Sequence, residues 1–163
     1  MTVGSEIENV SRETLERLSI YESLLRKWNP KINLVSGNTL DDLWSRHFQD
    51  SAQLLSFAGE FSTWADLGSG GGFPGMVVAI LGMERNRSFT LVESDQRKAA
   101  FLATVAREAS VSVNIIPARS EAVAPLGADV ISARALAPLP RLLFMVERHL
   151  AEEGIALLLK GRG

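Results

Sequence analysis

The residues best suited to chemistry lie at positions 66–75, which read DLGSGGGFPG and follow a short apolar run. Glycine supplies the positive φ angles of a tight turn and lets backbone N–H groups approach a ligand closely. Pro74 suits the start of a helix, where its missing N–H has no partner to lose. We therefore predict a strand, a tight turn and a helix, with a nucleotide-like ligand held at the turn.

Two glycine patterns overlap in this stretch. Gly70, Gly72 and Gly75 have the G-x-G-x-x-G spacing of dinucleotide-binding proteins, whereas Gly68, Gly70 and Gly72 form G-x-G-x-G directly after the strand. The second pattern starts where the turn must occur, and Asp66 precedes it where a dinucleotide fold keeps an apolar residue. No lysine follows the glycines, so a phosphate-binding loop and ATP hydrolysis are not expected.

An acidic residue, Glu93, follows the next apolar run. A carboxylate at the end of a parallel strand can accept both hydroxyl groups of a ribose that lies across the strand ends. The alternative is a helix-capping acid, because Ser94 and Asp95 lead into a helical pattern. The glycine stretch favours the ribose interpretation. The spacing between the glycines and Glu93 fits both a dinucleotide and another nucleoside-containing cofactor.

The elements that position these residues are predicted from hydrophobic periodicity. An amphipathic helix runs from a capping box at Ser5 and Glu8 to a stop at Pro30, and a loop at 31–38 is pinned to the body by apolar residues. A helix at 40–48 and a third segment, capped by Asp50 and ending near Gly59, complete an N-terminal helical group.

From residue 63 onward, short apolar runs alternate with helical patterns. Strands are predicted at 64–67, 89–92, 113–116, 130–132 and 155–159, and helical segments after Pro74, at 96–108, near Ser120 and at 139–150. This alternation predicts a parallel sheet with helices on both faces.

Composition narrows the function further. The 163 residues are 46% hydrophobic and 22% charged, which is typical of one soluble domain, and neither a bilayer-length apolar run nor a secretory signal is present, so we expect a cytoplasmic protein. The absence of cysteine excludes thiolate chemistry, and two histidines make a metal cluster unexpected. A net charge of −2 argues against nonspecific coating of nucleic acid. A local basic face stays open, with candidates Arg26, Lys27, Lys31, Arg46, Lys160 and Arg162.

Four segments carry a resemblance to a known family: residues 25–34 (LRKWNPKINL), 46–51 (RHFQDS), 66–75 and 132–135 (SARA). They resemble the class I, S-adenosylmethionine-dependent methyltransferases, and within them the RsmG (GidB) enzymes, which methylate N7 of a guanine in small-subunit 16S ribosomal RNA. The resemblance implies a Rossmann-like fold with an N-terminal helical cap at 1–60 and a core at 61–163 in one compact unit. Its fifth strand ends near the end of the chain, so we expect the C-terminal strands of that fold to be lacking.

The resemblance also implies the ligand and the residues that hold it. S-adenosylmethionine is the expected cofactor, and the partner is 16S rRNA within the small ribosomal subunit, bound by a monomer that uses neither metal nor membrane. Asp66 supports the loop or the methionine end of the cofactor, and Ser120 with Glu121 reads the adenine. The implied cofactor-binding residues are Asp66, Gly68, Gly70, Phe73, Glu93, Ser120, Glu121 and Arg134.

Structural alternatives stay open for several of these side chains. Ser120 and Glu121 could open a short helix, and Arg134 could be an ion-pair partner. For His47, a hydrogen-bonded structural group is favoured over a ligand or base. The aromatic residues of the cap are favoured as core over base-stacking platforms. They are Trp28, Trp44 and Phe48.

No catalytic acid or base is predicted. A sulfonium already makes its methyl group electrophilic, and guanine N7 carries an unprotonated lone pair, so positioning can contribute roughly 7–11 kcal/mol without proton transfer. A pocket after the fourth strand, at 132–136 and Pro138, would suit the charge that develops on the guanine. The alternatives are an oxidoreductase that uses a nicotinamide dinucleotide and a noncatalytic ribosome-binding module.

Overall fold

A computed structural model of the chain describes residues 10–35, 40–134 and 137–159. The helices are α1 (Arg12–Ile32), α2 (Leu40–Ala58), α3 (Gly75–Gly82), α4 (Gln96–Glu108) and α5 (Leu139–His149). The strands are β1 (Thr63–Leu67), β2 (Ser88–Val92), β3 (Asn114–Ile116), β4 (Ala128–Arg134) and β5 (Leu150–Leu159). A 3₁₀ turn, Ser120–Ala122, lies between β3 and β4.

The five strands form one parallel sheet in the order β3-β2-β1-β4-β5. The chain moves outward from β1 to β3 and then crosses back to β4, so the connections diverge between β1 and β4. Such a divergence leaves a crevice at the carboxyl ends of the strands, where ligands of α/β proteins bind. The predicted parallel sheet is confirmed.

The sheet is buried on both faces, as predicted. On one face α3 and α4 pack against residues such as Trp64 and Phe89, and α1 and α2 cover these helices. On the other face Leu142 and Val146 of α5 pack against Ile131. Because α3 lies between the sheet and α1 and α2, its sequence GMVVAILG is almost wholly apolar.

The first helix differs from the prediction at its end. It continues through Pro30 to Ile32 and closes at Asn33, whose φ is +52° and whose N–H donates to Asn29 O at 2.9 Å. Proline in the last turn removes one intrahelical hydrogen bond, whereas the following N–H groups still find acceptors. The predicted capping box at 5–8 lies outside the described residues, and Ser11 is the N-cap, accepting from Thr14 N at 3.1 Å.

The second and third predicted helices are one helix. No glycine or proline interrupts α2, and Asp50 lies inside it instead of capping a new segment. Ser51 Oγ donates to His47 O at 2.7 Å, which keeps a polar side chain paired within the helix. The helix ends before Gly59, whose φ of +67° suits a terminating glycine, as predicted.

The largest differences between the predicted and the observed bounds are at the ends of strands. β4 and β5 are longer than the apolar runs that predicted them, because backbone pairing extends to flanking residues, with a register irregularity between Ala128 and Val130. β3 is one residue shorter than predicted.

Within the described ranges no helix is long and apolar enough to cross a membrane. The division of the chain into an N-terminal cap at 1–60 and a core at 61–163 stays a prediction.

Candidate functional site

The glycine turn joins β1 to α3 at the carboxyl edge of the sheet. Gly68 N and Ser69 N donate to Val92 O at 2.8 and 3.0 Å, which ties the turn to β2. Gly68, Gly70 and Gly72 have φ angles of +74°, +56° and +100°. L-residues avoid these angles, so the turn requires the G-x-G-x-G pattern that begins at the strand end.

Gly75 serves a different purpose from the three turn glycines. It is the first residue of α3, and a Cβ placed on it would lie 2.5 Å from Asp66 Oδ2 and 2.5 Å from Leu91 Cδ2. Its missing side chain therefore lets the helix start directly over β1 and β2. The G-x-G-x-x-G spacing thus combines two turn glycines with one packing glycine.

Asp66 supports the turn from its buried side. It is 1% exposed, its Oδ1 accepts from Ser132 Oγ at 2.7 Å, and its Oδ2 accepts from Gly75 N at 3.1 Å. Burial raises the pKa of Asp66 to about 6, although these hydrogen bonds and the Arg134 charge pull it down. The carboxyl thereby links β4 to the start of α3.

Glu93 fixes the glycine turn at Gly70. Its Oε1 accepts from Gly70 N at 2.6 Å and its Oε2 from Asp95 N at 2.8 Å. The N-cap of α4 is Asp95, which accepts from the N–H groups of Arg97 and Lys98 at 2.9 and 3.2 Å. The helix-capping alternative therefore applies to Asp95, and ribose binding by Glu93 stays a prediction.

Phe73 lies between the turn and the N-terminal helices. Its ring is stacked on Tyr21 of α1 and on His47 of α2, with centroid distances of 5.5 and 4.8 Å. Phe73 is only 3% exposed, and its backbone carbonyl oxygen accepts from Arg134 Nε at 3.0 Å. Arg134 Nη2 also lies 3.2 Å from His47 Nδ1, so His47 is the hydrogen-bonded group that the sequence favoured.

Tyr21 closes this cluster. It is fully buried, and its hydroxyl donates to Gly71 O at 2.6 Å. Burial raises the pKa of Tyr21 well above its ordinary value, and the nearby Asp66 carboxylate adds to the effect. The N-terminal helices are thus bonded directly to the glycine turn. Trp44 and Phe48 are buried core residues, as predicted, and Trp28 is partly buried and packs against the same core.

A cavity of about 230 Å³ opens at the carboxyl ends of β1, β2 and β4. Four predicted cofactor residues line it: Gly68, Ser120, Glu121 and Arg134. Gly70 and Glu93 are bonded to each other, next in sequence to Ser69 and to the cavity-lining Ser94, and Asp66 and Phe73 are buried on the core side of the turn. The fold therefore brings all eight positions together around the turn and the cavity, although the ring of Phe73 packs into the core.

The 3₁₀ turn beside the cavity is held by α5. Glu121 Oε2 accepts from Arg141 Nη2 at 2.8 Å, which lowers the pKa of Glu121, and His149 Nε2 lies 2.7 Å from Ser120 O. Leu126 N donates to His149 Nδ1 at 3.3 Å, so the histidine donates through Nε2. The short-helix alternative for Ser120 and Glu121 is confirmed, and it coexists with a position in the cavity wall.

Sequence reasoning missed several cavity residues. Ser94 and Arg119 line the cavity and are direct neighbours of Glu93 and Ser120, so sequence adjacency could have indicated both. No sequence pattern indicated Arg141, because the packing of α5 brings it to the cavity.

Residues 135 and 136 of the predicted fourth-strand pocket lie outside the described part. Within that part, no group of three or more His, Asp or Glu side chains could hold a metal ion.

Sequence comparisons give consistent relatives. The family model described as rRNA small subunit methyltransferase G matches residues 14–163. The protein named ribosomal RNA small subunit methyltransferase G of Ruegeria sp. (strain TM1040) is 54% identical over 155 residues, which cover 94% of this chain and 76% of that protein. The protein of the same name from Paramagnetospirillum magneticum is 56% identical, over 94% of this chain and 74% of that one.

Solved structures support the fold. A coclaurine N-methyltransferase bound to N-methylheliamine and SAH has a TM-score of 0.62 at 18% identity, over 96% of this chain and 45% of that one. A precorrin-6y C5,15-methyltransferase from Geobacter metallireducens has a TM-score of 0.54 at 18% identity, over 68% and 61%. The class I methyltransferase fold is confirmed, and the oxidoreductase alternative is wrong because the family match spans the glycine stretch that suggested it. The chain belongs to the rRNA small subunit methyltransferase G family, GidB.

Proposed function

We propose that this protein transfers a methyl group from S-adenosylmethionine to N7 of a guanine in 16S ribosomal RNA of the small subunit, acting as a monomer. The observation that carries the proposal is the family match over residues 14–163, which includes every element around the glycine turn. The noncatalytic alternative has no feature in its favour, because the turn and the cavity are both formed.

The cavity suits S-adenosylmethionine in its position and in the chemistry of its lining. It lies at the point where the strand connections diverge, and backbone at Gly68 can approach a ligand without a side chain between them. Its wall combines apolar side chains such as Leu142 with the polar groups of Ser120 and Glu121. A nucleoside needs this combination, since its base is flat and apolar on its faces and polar on its edge.

Glu93 is the residue we assign to the ribose of the cofactor. Its carboxylate accepts two backbone N–H groups, from Gly70 and Asp95, and a carboxylate offers about four acceptor positions. It can therefore keep the turn in place and still accept from hydroxyl groups. Gly68 and Gly70 contribute turn backbone, and Asp66 supports the turn. Arg134 lines the cavity and donates to the backbone carbonyl of Phe73.

S-adenosylmethionine, when bound, supplies an electrophilic methyl group to a guanine N7 that is already unprotonated. The chain therefore needs to orient its ligands and exclude water, and it needs no general base. Rigid supports serve this purpose: the turn is bonded to β2 at Val92, to Glu93 and to Tyr21. Well-oriented reactants can gain roughly 7–11 kcal/mol from such positioning.

The test compares Glu93→Ala with Glu108→Ala, an exposed acid at the end of α4 whose nearest cation is 3.7 Å away. Removing the Glu93 carboxylate takes away charged hydrogen bonds worth about 1.5–3 kcal/mol. We expect S-adenosylmethionine to bind roughly tenfold to a hundredfold more weakly by calorimetry, with no change for Glu108→Ala. Urea unfolding of both variants checks that the fold is retained.

The substrate is tested with small ribosomal subunits that lack the modification. We expect wild-type protein to transfer radiolabel from the cofactor to one guanine, identified as N7-methylguanine after nuclease digestion and chromatography. Label on another base, or binding of subunits without any transfer, would refute the assignment. Cofactor binding with neither subunit binding nor transfer would point to a different methyl acceptor and would also refute the assignment.

A further inference from the structure

A second groove lies between α1 and α4. Its volume is about 360 Å³, and its walls are almost wholly apolar, with positive side chains among its borders. The lining residues are Lys27, Trp28, Lys31, Ile32, Arg97 and Ala100. The sequence placed Lys27 and Lys31 on a candidate basic face, and the functional site described above uses neither.

Within the described part of the chain, none of the three cations of the groove forms a close ion pair, although the Arg97 charge lies near the Asp95 carboxylate. Among the residues that the structure describes, no carboxylate lies within ion-pair distance of Lys27, Lys31 or Arg97. By contrast, their neighbour Arg26 is paired with Glu22 at 3.0 Å and with Asp41. Unpaired positive charge around an apolar floor is complementary to a ligand that carries both phosphates and flat apolar groups.

We propose that this groove binds a single-stranded segment of the substrate RNA, an inference that rests on the proposed function. Phosphates lie against Lys27, Lys31 and Arg97, and a base packs on Trp28. Lys27 and Lys31 are one helical turn apart, about 6 Å along the axis, so they face the same side of α1. An unpaired strand offers the exposed base faces that the apolar floor requires.

The position of the groove favours RNA over an acidic peptide or an anionic lipid. Arg97 lies three residues after Ser94, which lines the cofactor cavity, so their Cα atoms are at most about 11 Å apart. The groove and the cavity therefore open near the same edge of the sheet. A strand that delivers a guanine to the cavity can extend directly along α4 into the groove.

Trp28 provides an optical signal for this contact. Trp44 and Trp64 are 2% and 1% exposed, whereas Trp28 is partly exposed and lines the groove, with its ring 5.5 Å from that of Phe101. A base that packs on Trp28 should quench its fluorescence. Trp28→Phe should abolish this quenching, and urea unfolding of that variant verifies that the core is intact.

The experiment uses the full chain and a short single-stranded oligouridine RNA. Lys27→Glu with Lys31→Glu is compared with Arg12→Glu with Arg85→Glu, which makes the same charge change at exposed residues away from the groove. We expect the first pair to weaken RNA binding about tenfold or more, and to reduce the slope of log K against log salt by about 1.4. The control pair should change neither quantity by a comparable amount.

Each outcome bears on the groove separately from the methyl transfer. Equal loss of RNA affinity in both double variants, or no loss in either, would overturn the proposal. Tighter binding and stronger quenching by a polyglutamate peptide, or by phosphatidylglycerol vesicles, would assign the groove to a protein or a membrane and also overturn it. If wild-type protein fails to bind S-adenosylmethionine, the proposed function fails, whereas the oligouridine measurement still decides whether the groove binds RNA.

Discussion

Asp66 should make the folded protein less stable as pH rises. Burial raises its pKa from an ordinary value of 3.8 to about 6, so between these values the native state keeps a proton that the unfolded chain has released. The free energy of unfolding should then fall by about 1.4 kcal/mol per pH unit in this window and level off above it. The full difference is about 3 kcal/mol, of which about 2 kcal/mol falls above pH 4.5.

Asp66→Asn tests this reasoning because an amide of the same size cannot ionise. Urea unfolding of the wild-type and variant proteins from about pH 4.5 to pH 8 gives the difference between their unfolding free energies at each pH. We expect that difference to change by about 2 kcal/mol between pH 4.5 and pH 6, with the wild type losing stability relative to the variant, and to stay constant at higher pH.

Ser132→Ala provides an internal check. The Ser132 hydroxyl donates to Asp66 Oδ1 at 2.7 Å and lowers the pKa of the carboxyl, so its removal should extend the pH window at its upper end. Ser132 Oγ also accepts from Trp64 Nε1 at 2.9 Å, which adds a loss that does not depend on pH. Parallel pH profiles for wild type and Asp66→Asn would refute the view that burial governs this carboxyl.

Three further changes probe the supports of the turn and the cavity. Tyr21→Phe removes the 2.6 Å hydrogen bond to Gly71 O and leaves that carbonyl unpaired, so urea unfolding should show a loss of about 1–3 kcal/mol; no measurable loss would contradict the contact. Arg134→Lys keeps the charge but cannot span Phe73 O and His47 Nδ1 in the same way, so the KM for S-adenosylmethionine should rise about tenfold with little change in unfolding free energy. His149→Leu leaves Ser120 O and Leu126 N without their partner, so hydrogen exchange at the Leu126 amide should accelerate, whereas unchanged exchange would show that α5 does not hold the 3₁₀ turn.

The parts of the fold that sequence predicted best are those governed by local chemistry. The strand, turn and helix around Gly68 follow from positive φ angles that few other residues tolerate, and α4 has the predicted bounds because Asp95 caps it. The resemblance added the position of Arg134 beside the cavity, which no local pattern indicated.

The parts that sequence missed depend on distant contacts. Pro30 did not end α1, because the residues after it pack against the core and Asn29 Oδ1 accepts from Val35 N at 2.8 Å. Similarly, Arg141 and His149 reach the 3₁₀ turn from residues 20 and 29 positions away in sequence, through the docking of α5. Periodicity describes which face of a helix is apolar, and it does not identify the loop that its polar residues meet.

The N-terminal helices support the glycine turn and do not only cover the helices on the sheet. The hydroxyl of Tyr21 in α1 donates to the glycine turn at Gly71 O. A Cβ on Gly72 would collide with this hydroxyl, so the contact between α1 and the turn requires glycine at position 72. Six residues further along the same helix, Lys27 begins the basic groove. An α-helix transmits position with little bending over so short a length. The glycine turn and one wall of the groove are therefore both connected to a single helix, α1.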